Sequence, residues 1–168
     1  MFLETPRLVL RAIEPSDVDD VARLLAEPDV MRYIDTGRPV PRDEVEREVM
    51  PKVVGGVGWW AGIEKSSGAF VGWFELSPVA EGVRELGYRL HPSSWGRGYA
   101  TEGATALVAK GFADLGVHRV VATAMAVNTG SRRVLEKAGL VYVRTFHEDW
   151  PDPIPGAEHG DVEYALSR

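Results

Sequence analysis

The sequence predicts a mixed α+β (α/β mixed) domain, with a mostly antiparallel sheet of about seven strands flanked by about four helices. Three observations predict it. Alternating, β-rich segments recur along the chain and are joined by short turns. Segments with apolar residues at helical spacing interrupt them. One strand–helix–strand unit, 84–127, demands a parallel crossover in a sheet whose other connections are hairpins. At 168 residues the chain is long enough for one well-cored domain and short for two.

The elements follow in order. Residues 7–13, RLVLRAI, alternate and form the first strand. Pro15 and Ser16 start a helix, with Ser16 and Asp19 at capping-box spacing. Val18, Val21, Ala22 and Leu25 recur on one face until Pro28 ends the run. A second helix spans 41–53, with Pro41 early and Val45, Val49 and Val53 on one stripe. The period then changes to two. Segments 57–64 and 69–77 make a hairpin about the turn KSSG, and 84–90 adds a third strand to the meander. Ala100, Ala104, Leu107, Val108, Phe112 and Leu115 form the apolar face of the next helix, which stops at Gly116. A strand at 118–127, a short helix at 129–139 ended by Gly139, and a strand at 140–146 follow. Residues 147–160 form a proline-rich acidic loop, long enough to suggest a function, and 161–167 is the closing strand.

Apolar residues make up 45% and charged residues 26%, the balance of a soluble globular protein. The net charge of −6 argues against nucleic acid as a partner, because phosphate neutralisation needs a basic face. With no cysteine, a disulfide scaffold, a thiolate zinc site and a cysteine nucleophile are all excluded. No His/Asp/Glu cluster has metal-ligand spacing, so no metal is expected. No apolar run approaches the ~20 residues of a membrane span. The segment MFLETPRLVL lacks the features of a signal peptide. The expectation is a cytoplasmic protein with no membrane partner.

One stretch carries chemistry: HPSSWGRGYATEG, residues 91–103. Gly96 and Gly98 flank Arg97 just before a helix, a pattern that turns backbone N–H groups toward an anion while Arg97 adds charge. A P-loop would close on Lys-Ser/Thr, which is missing, and a dinucleotide fingerprint would have glycine where Thr101 stands. The alternative is a tight strand-to-helix turn that binds nothing.

The segments LETPRLVLRAIEPSDVDDVARLL, FVGWFEL, ELGYRLHPSSWGRGYATEG, NTGSRRVLEKAGLVYV and GDVEYAL occur in this order over nearly the whole chain. Together they resemble the GNAT superfamily of acetyl-CoA-dependent N-acetyltransferases and, within it, the RimJ/RimL-like branch. Gly98 and Ala100 match the superfamily's pyrophosphate loop; Trp95 replaces its usual Gln or Arg, as is frequent in that branch. The resemblance implies a sheet splayed between strands 84–90 and 118–127, with coenzyme A in the gap. Trp95, Gly96, Arg97, Gly98, Tyr99, Ala100 and Thr101 would form the pyrophosphate site. The backbone of Tyr88, Arg89 and Leu90 would run beside the pantetheine like an added strand. Asn128 would bond the pantetheine, or else cap a helix.

The implied reaction moves an acetyl group from acetyl-CoA to a primary amine, on a protein N-terminus or a small molecule, by direct attack in a ternary complex. The superfamily's usual acid is a tyrosine seven residues after the helix-leading Asn; here that position is Leu135. Ser131, three residues after Asn128, is the branch's substitute, with helix capping as its alternative. Glu85 and Glu75 are the candidate bases, and Glu85 is favoured because it belongs to the ELGY strand. His91 follows that strand directly but precedes Pro92, as a turn residue would. Trp59, Trp60, Trp73 and Phe74 fill the core or line the acceptor pocket. Glu148, Asp149, Asp152 and Glu158 attract a cationic amine or simply keep the loop solvated. The missing tyrosine motivates a second reading, a non-catalytic acetyl-CoA-binding module. A monomer and a homodimer are equally compatible with the sequence.

Overall fold

A computed structural model describes residues 3–55 and 57–168. Its strands are β1 (Leu3–Glu4), β2 (Leu8–Ala12), β3 (Trp59–Glu64), β4 (Phe70–Ala80), β5 (Val83–Leu90), β6 (Arg119–Met125), β7 (Val141–Phe146) and β8 (Asp161–Ser167). They form one eight-stranded sheet in the order β1-β2-β3-β4-β5-β6-β8-β7. Every neighbouring pair is antiparallel except β5 and β6. The strand beyond the expected set is β1, whose two residues pair with Val9 and Leu10 and are too few to show a period.

Helices α1 (Val18–Leu25), α2 (Pro28–Met31), α3 (Arg42–Glu44) and α4 (Met50–Val53) cover one face, and α5 (Tyr99–Asp114) and α6 (Thr129–Lys137) the other. Strand alternation divides the core between them. Phe74, Leu76 and Leu86 pack with Ala104 and Leu107 of α5, whereas Trp73 and Ala61 pack with Val21 and Leu25 of α1.

Three local expectations are corrected. The first capping box is formed by Glu14 and Asp17 about a 3₁₀ turn, while Ser16 is exposed. Asp17 is the buried member because Arg11 grips it with two hydrogen bonds of 2.8 Å. Pro28 begins α2 as its first residue, where its missing N–H costs nothing. The 41–53 helix is interrupted by a π turn over Val45–Val49. One residue is thereby added to the turn, so Val45, Met50 and Val53 are buried and Val49 is only partly so.

Gly103 lies against the fully buried Phe74 ring, and a Cβ there would overlap it. Gly103→Ala is expected to destabilise the fold by about 1–3 kcal/mol through overpacking. Urea unfolding measures this, and an unchanged midpoint would show that the ring can yield.

The parallel pair positions the site. Strands β5 and β6 pair only at Val83 with Arg119, Arg84 with Val120 and Glu85 with Val121. Beyond Glu85 they part, while β8 stays paired with β6 along its whole length. The edges of Leu86–Leu90 and Ala122–Met125 therefore face each other across a wedge, as the splayed sheet requires. Among the described residues no helix is long and apolar enough to cross a membrane.

Candidate active site

The wedge opens into a cleft of about 1000 Å³. On its α5 side, Gly96 (φ +71°) and Gly98 (φ +79°) are both left-handed, which turns the chain abruptly into the helix. Among the described residues, the backbone N–H groups from Gly96 to Thr101 donate to no protein acceptor, and the first helical bond runs from the Glu102 N–H to the Gly98 carbonyl. These donors stand at the positive end of a 16-residue helix. A pyrophosphate diester fits such an array, because its oxygens accept what the backbone leaves unpaired.

The loop is held from beneath. Arg7 donates to the Arg97 carbonyl at 2.8 Å and pairs with Glu102 at 2.7 Å. The guanidinium groups of Arg7 and Arg97 lie 4.5 and 4.6 Å from the centroid of the Tyr99 ring. Arg97 pairs at 2.5 Å with the buried Glu64, to which the Tyr99 hydroxyl also donates. Hydrogen bonds from Ser67 and Tyr99, together with the Arg97 charge, hold the Glu64 carboxyl down at about 2. Arg97 thus turns its charge to Glu64 and does not line the cleft, contrary to the expectation that its side chain faces the anion. Tyr99 is buried and reaches the loop through its backbone. Trp95, half-exposed at the cleft, donates its indole N–H to the Leu90 carbonyl at 2.8 Å. That carbonyl therefore points away from β4, and by alternation the polar groups of Tyr88 point the same way.

The opposite face of β4 and β5 lines the rest of the cleft. Register sets Trp73 beside Arg89, Glu75 beside Gly87 and Ser77 beside Glu85. Gly87 makes room for its neighbour, since a Cβ there would sit 3.0 Å from Glu75 Oε2. Ser77 Oγ donates to Glu75 Oε1 at 2.6 Å. Burial pushes the Glu75 carboxyl up; the Ser77 hydrogen bond opposes this, and the charge of Glu85 adds to it. Burial alone pushes Glu85 up. Glu85 stands at the last pair before the strands part, at the apex of the wedge.

Asn128 caps α6, its Oδ1 accepting the Ser131 N–H at 3.2 Å, so the capping role weighed for Ser131 belongs to Asn128. Both residues line the cleft. The Tyr88 hydroxyl crosses from β5 to α6, donating to the Ser131 carbonyl at 2.9 Å and lying 3.1 Å from Ser131 Oγ. Burial pushes this phenol up, so it stays protonated. Leu135, where the superfamily places its tyrosine, is buried in the core.

Sequence reasoning assigned Tyr88 and Arg89 only backbone roles and missed their side chains. The available signal was the alternation of ELGYRL, which sends Tyr88 toward α6 and Arg89 to the carboxylate face. His91 is a turn residue, bonded to Ser93 and 3.2 Å from Glu27, outside the cleft lining. Trp60 and Phe74 are core residues under α5, Trp59 packs beside the α1–α4 cluster, and Trp73 lines the cleft. From the 147–160 loop the cleft receives Trp150, whereas Glu148, Asp149, Asp152 and Glu158 are exposed and lie off its lining.

The family model described as Acetyltransferase (GNAT) domain matches residues 7–141. The chain is 36% identical to the FsC-acetyl coenzyme A-N(2)-transacetylase of Aspergillus fumigatus, covering 99% of this chain and 76% of that one. A crystal structure of a GNAT-family acetyltransferase from Bacillus anthracis superposes with a TM-score of 0.87 at 27% identity, covering 99% of this chain and 98% of that one. A RimL ribosomal L7/L12 α-N-protein acetyltransferase solved with coenzyme A shares the fold, with a TM-score of 0.81 at 17% identity, covering 99% of this chain and 98% of that one. A helix start whose N–H donors are left unpaired and a splayed parallel pair, found with this match over most of the chain, identify it: the chain belongs to the GNAT acetyltransferase family and is an acetyl-CoA-dependent N-acetyltransferase.

Proposed function

We propose that this enzyme acetylates a primary amine held on the carboxylate face of the wedge, and that it falls in the RimJ/RimL-like branch. One observation carries the reading. The unpaired N–H array at the start of α5 and the carboxylates Glu75 and Glu85 open onto the same cleft from opposite faces of β5. Trp95 supports the branch, as does the shared fold of an α-N-protein acetyltransferase. The N(2) acceptor in the Aspergillus relative's name also favours an α-amine.

Bound acetyl-CoA supplies a thioester carbonyl and a thiolate leaving group. The N–H groups of Gly96 to Thr101 hold its pyrophosphate. The free polar edge at Tyr88 and Leu90 pairs with the pantetheine as an added strand would, the Arg89 carbonyl facing β4 instead, and Asn128 bonds its amide. Glu85, with Glu75 beside it, takes a proton from the incoming ammonium. Its raised carboxyl is a stronger base than an exposed glutamate. An α-amine at about 7.7–8.0 makes that transfer far easier than a lysine amine at about 10.4. Ser131, held by Tyr88 in the first turn of α6, gives a proton to the departing thiolate and regains one from the nitrogen that has attacked, while the proton on Glu85 returns to solvent. The chain has no cysteine to carry the acetyl group, which favours direct transfer between the two bound substrates.

A thiol-release assay with acetyl-CoA and an amine panel tests the reading. Amine-dependent release is expected; release no faster than hydrolysis across the panel, despite coenzyme binding, would leave only the non-catalytic module. Ser131→Ala is expected to lower kcat at least about tenfold with little change in coenzyme affinity. A kcat near wild type would reduce Ser131 to a partner of Tyr88 and Asn128.

A further inference from the structure

The sheet sorts the charges that line the cleft. Its carboxylates are Asp29, Asp35, Glu75, Glu85 and Asp161. Glu75 and Glu85 share the face of Trp73, which packs with the α1–α4 cluster. Asp29 belongs to α2 on that side, and Asp35 reaches Arg89 beside Trp73. Asp161 is turned the same way, because Val162 and Tyr164 pack toward α5 and α6. Four cations also line the cleft. Two of them stand among the carboxylates: Arg89, 3.5 Å from Asp35, and Arg32, over the Tyr33 ring. The other two, Arg133 and Lys137, stand on α6 across the sheet.

Among the described residues neither of these two meets a carboxylate. Glu136, the one acid of α6, accepts instead from the Tyr164 hydroxyl at 2.8 Å. Gly130, Arg133 and Lys137 fall on one stripe of the helix, and all three line the cleft. The Cβ atoms of Arg133 and Lys137 lie ~5–6 Å apart, so their exposed heads can meet on one group. Gly130 leaves the surface beside them bare, since a Cβ there would meet nothing nearer than Asn128 Oδ1 at 3.9 Å. Glycine weakens a helix, and here neither a positive φ nor a close neighbour calls for it.

α5 and α6 pack side by side, and the unpaired N–H groups of Gly96 to Thr101 line the same cleft. Those groups suit a pyrophosphate diester, which has one charge per phosphorus. Coenzyme A has one further anionic group, the phosphomonoester on its ribose 3′ oxygen, close to doubly charged at neutral pH. The five carboxylates repel a dianion from their side of the sheet, and the α6 stripe attracts it.

We infer that Arg133 and Lys137 form a subsite for the 3′-phosphate of the coenzyme, so that the enzyme selects 3′-phosphorylated donors over their dephospho forms. The inference rests on the pyrophosphate placement proposed above.

Calorimetric titration with coenzyme A and with 3′-dephospho-coenzyme A tests it. Wild type is expected to bind coenzyme A at least about tenfold more tightly, the size of one charge-assisted hydrogen bond. In Arg133→Gln/Lys137→Gln the ratio should fall to near one, with the loss confined to coenzyme A, and each single variant should lie between. Added salt should shrink the wild-type ratio, because both heads are exposed. A wild-type ratio near one overturns the inference, and that comparison needs no variant to fold. An equal loss for both ligands in a folded double variant also overturns it, by giving the two cations to the pyrophosphate. A wild-type ratio that survives the double substitution overturns it too, since the 3′-phosphate is then held elsewhere. No binding of either ligand removes the pyrophosphate placement and the inference together. Selective binding by a protein that turns over no amine supports the inference and removes only the proposed acceptor chemistry.

Discussion

Gly98→Val is expected to weaken coenzyme A binding at least about a hundredfold, the worth of one or two charge-assisted hydrogen bonds. Gly98 is the residue from which α5 starts, and its φ of +79° is one that a β-branched side chain rarely adopts. Valine can relax only by rotating the backbone, which swings the N–H groups of Tyr99 and Ala100 away from their common target. Staying in place offers no relief, because even a Cβ would lie 3.3 Å from Arg7 Nη2, below the loop that Arg7 anchors. Gly96→Ala is a milder version. A Cβ at Gly96 meets nothing within 4 Å, so only the left-handed backbone penalises it and a smaller loss is expected. Calorimetric titration with coenzyme A gives both affinities, and thermal melts show whether each variant is folded. An unchanged affinity in a folded Gly98→Val would remove the loop from the donor site.

The glycine loop was legible because its information is local: two glycines and a helix start within a few residues. The strand order around the wedge was legible for a similar reason, since a strand–helix–strand unit permits only a parallel neighbour. What escaped was set by partners distant in sequence. Arg97 reads as a phosphate ligand until Glu64, 33 residues earlier, is placed beneath it by the β2–β3 pairing. Arg89 reads as strand filler until Asp35, 54 residues earlier, is found 3.5 Å from its guanidinium. The first capping box was misplaced by two residues because Asp17 serves both Arg11 and the backbone of Glu14, and only the first of those links crosses from the strand to the helix start. The π turn escaped because a single helical period cannot describe 41–53. Asn128 and Ser131 were both open to the capping role in the sequence, and the structure gives it to Asn128. Which of two neighbouring polar residues caps a helix depends on rotamers that spacing does not record.

Glu85→Gln is expected to lower kcat by about 10²–10⁴-fold, the usual worth of a positioned general base. Glu85 is placed for that role where β5 leaves β6, so its carboxylate borders the apex of the wedge. The pH profile should follow its environment. Because burial raises the carboxyl, wild-type activity should fall on the acid side at a higher pH than an exposed glutamate would give, as the base becomes protonated. Glutamine should abolish that limb. The stability effect has the opposite sign. A carboxyl raised in the folded state binds its proton more tightly there than in the unfolded chain, so ionising it above its folded pKa weakens the fold. Removing the charge should therefore leave the Tm of Glu85→Gln at neutral pH equal to or above that of wild type. Glu75→Gln is the control. Its amide can still accept from Ser77, so the fold is retained, and a smaller fall in kcat is expected if Glu85 is the base. A larger loss in Glu75→Gln than in Glu85→Gln would exchange their roles. Loss of activity accompanied by a lower Tm in Glu85→Gln would instead mark Glu85 as structural, because a base held ionised against burial adds no stability to lose.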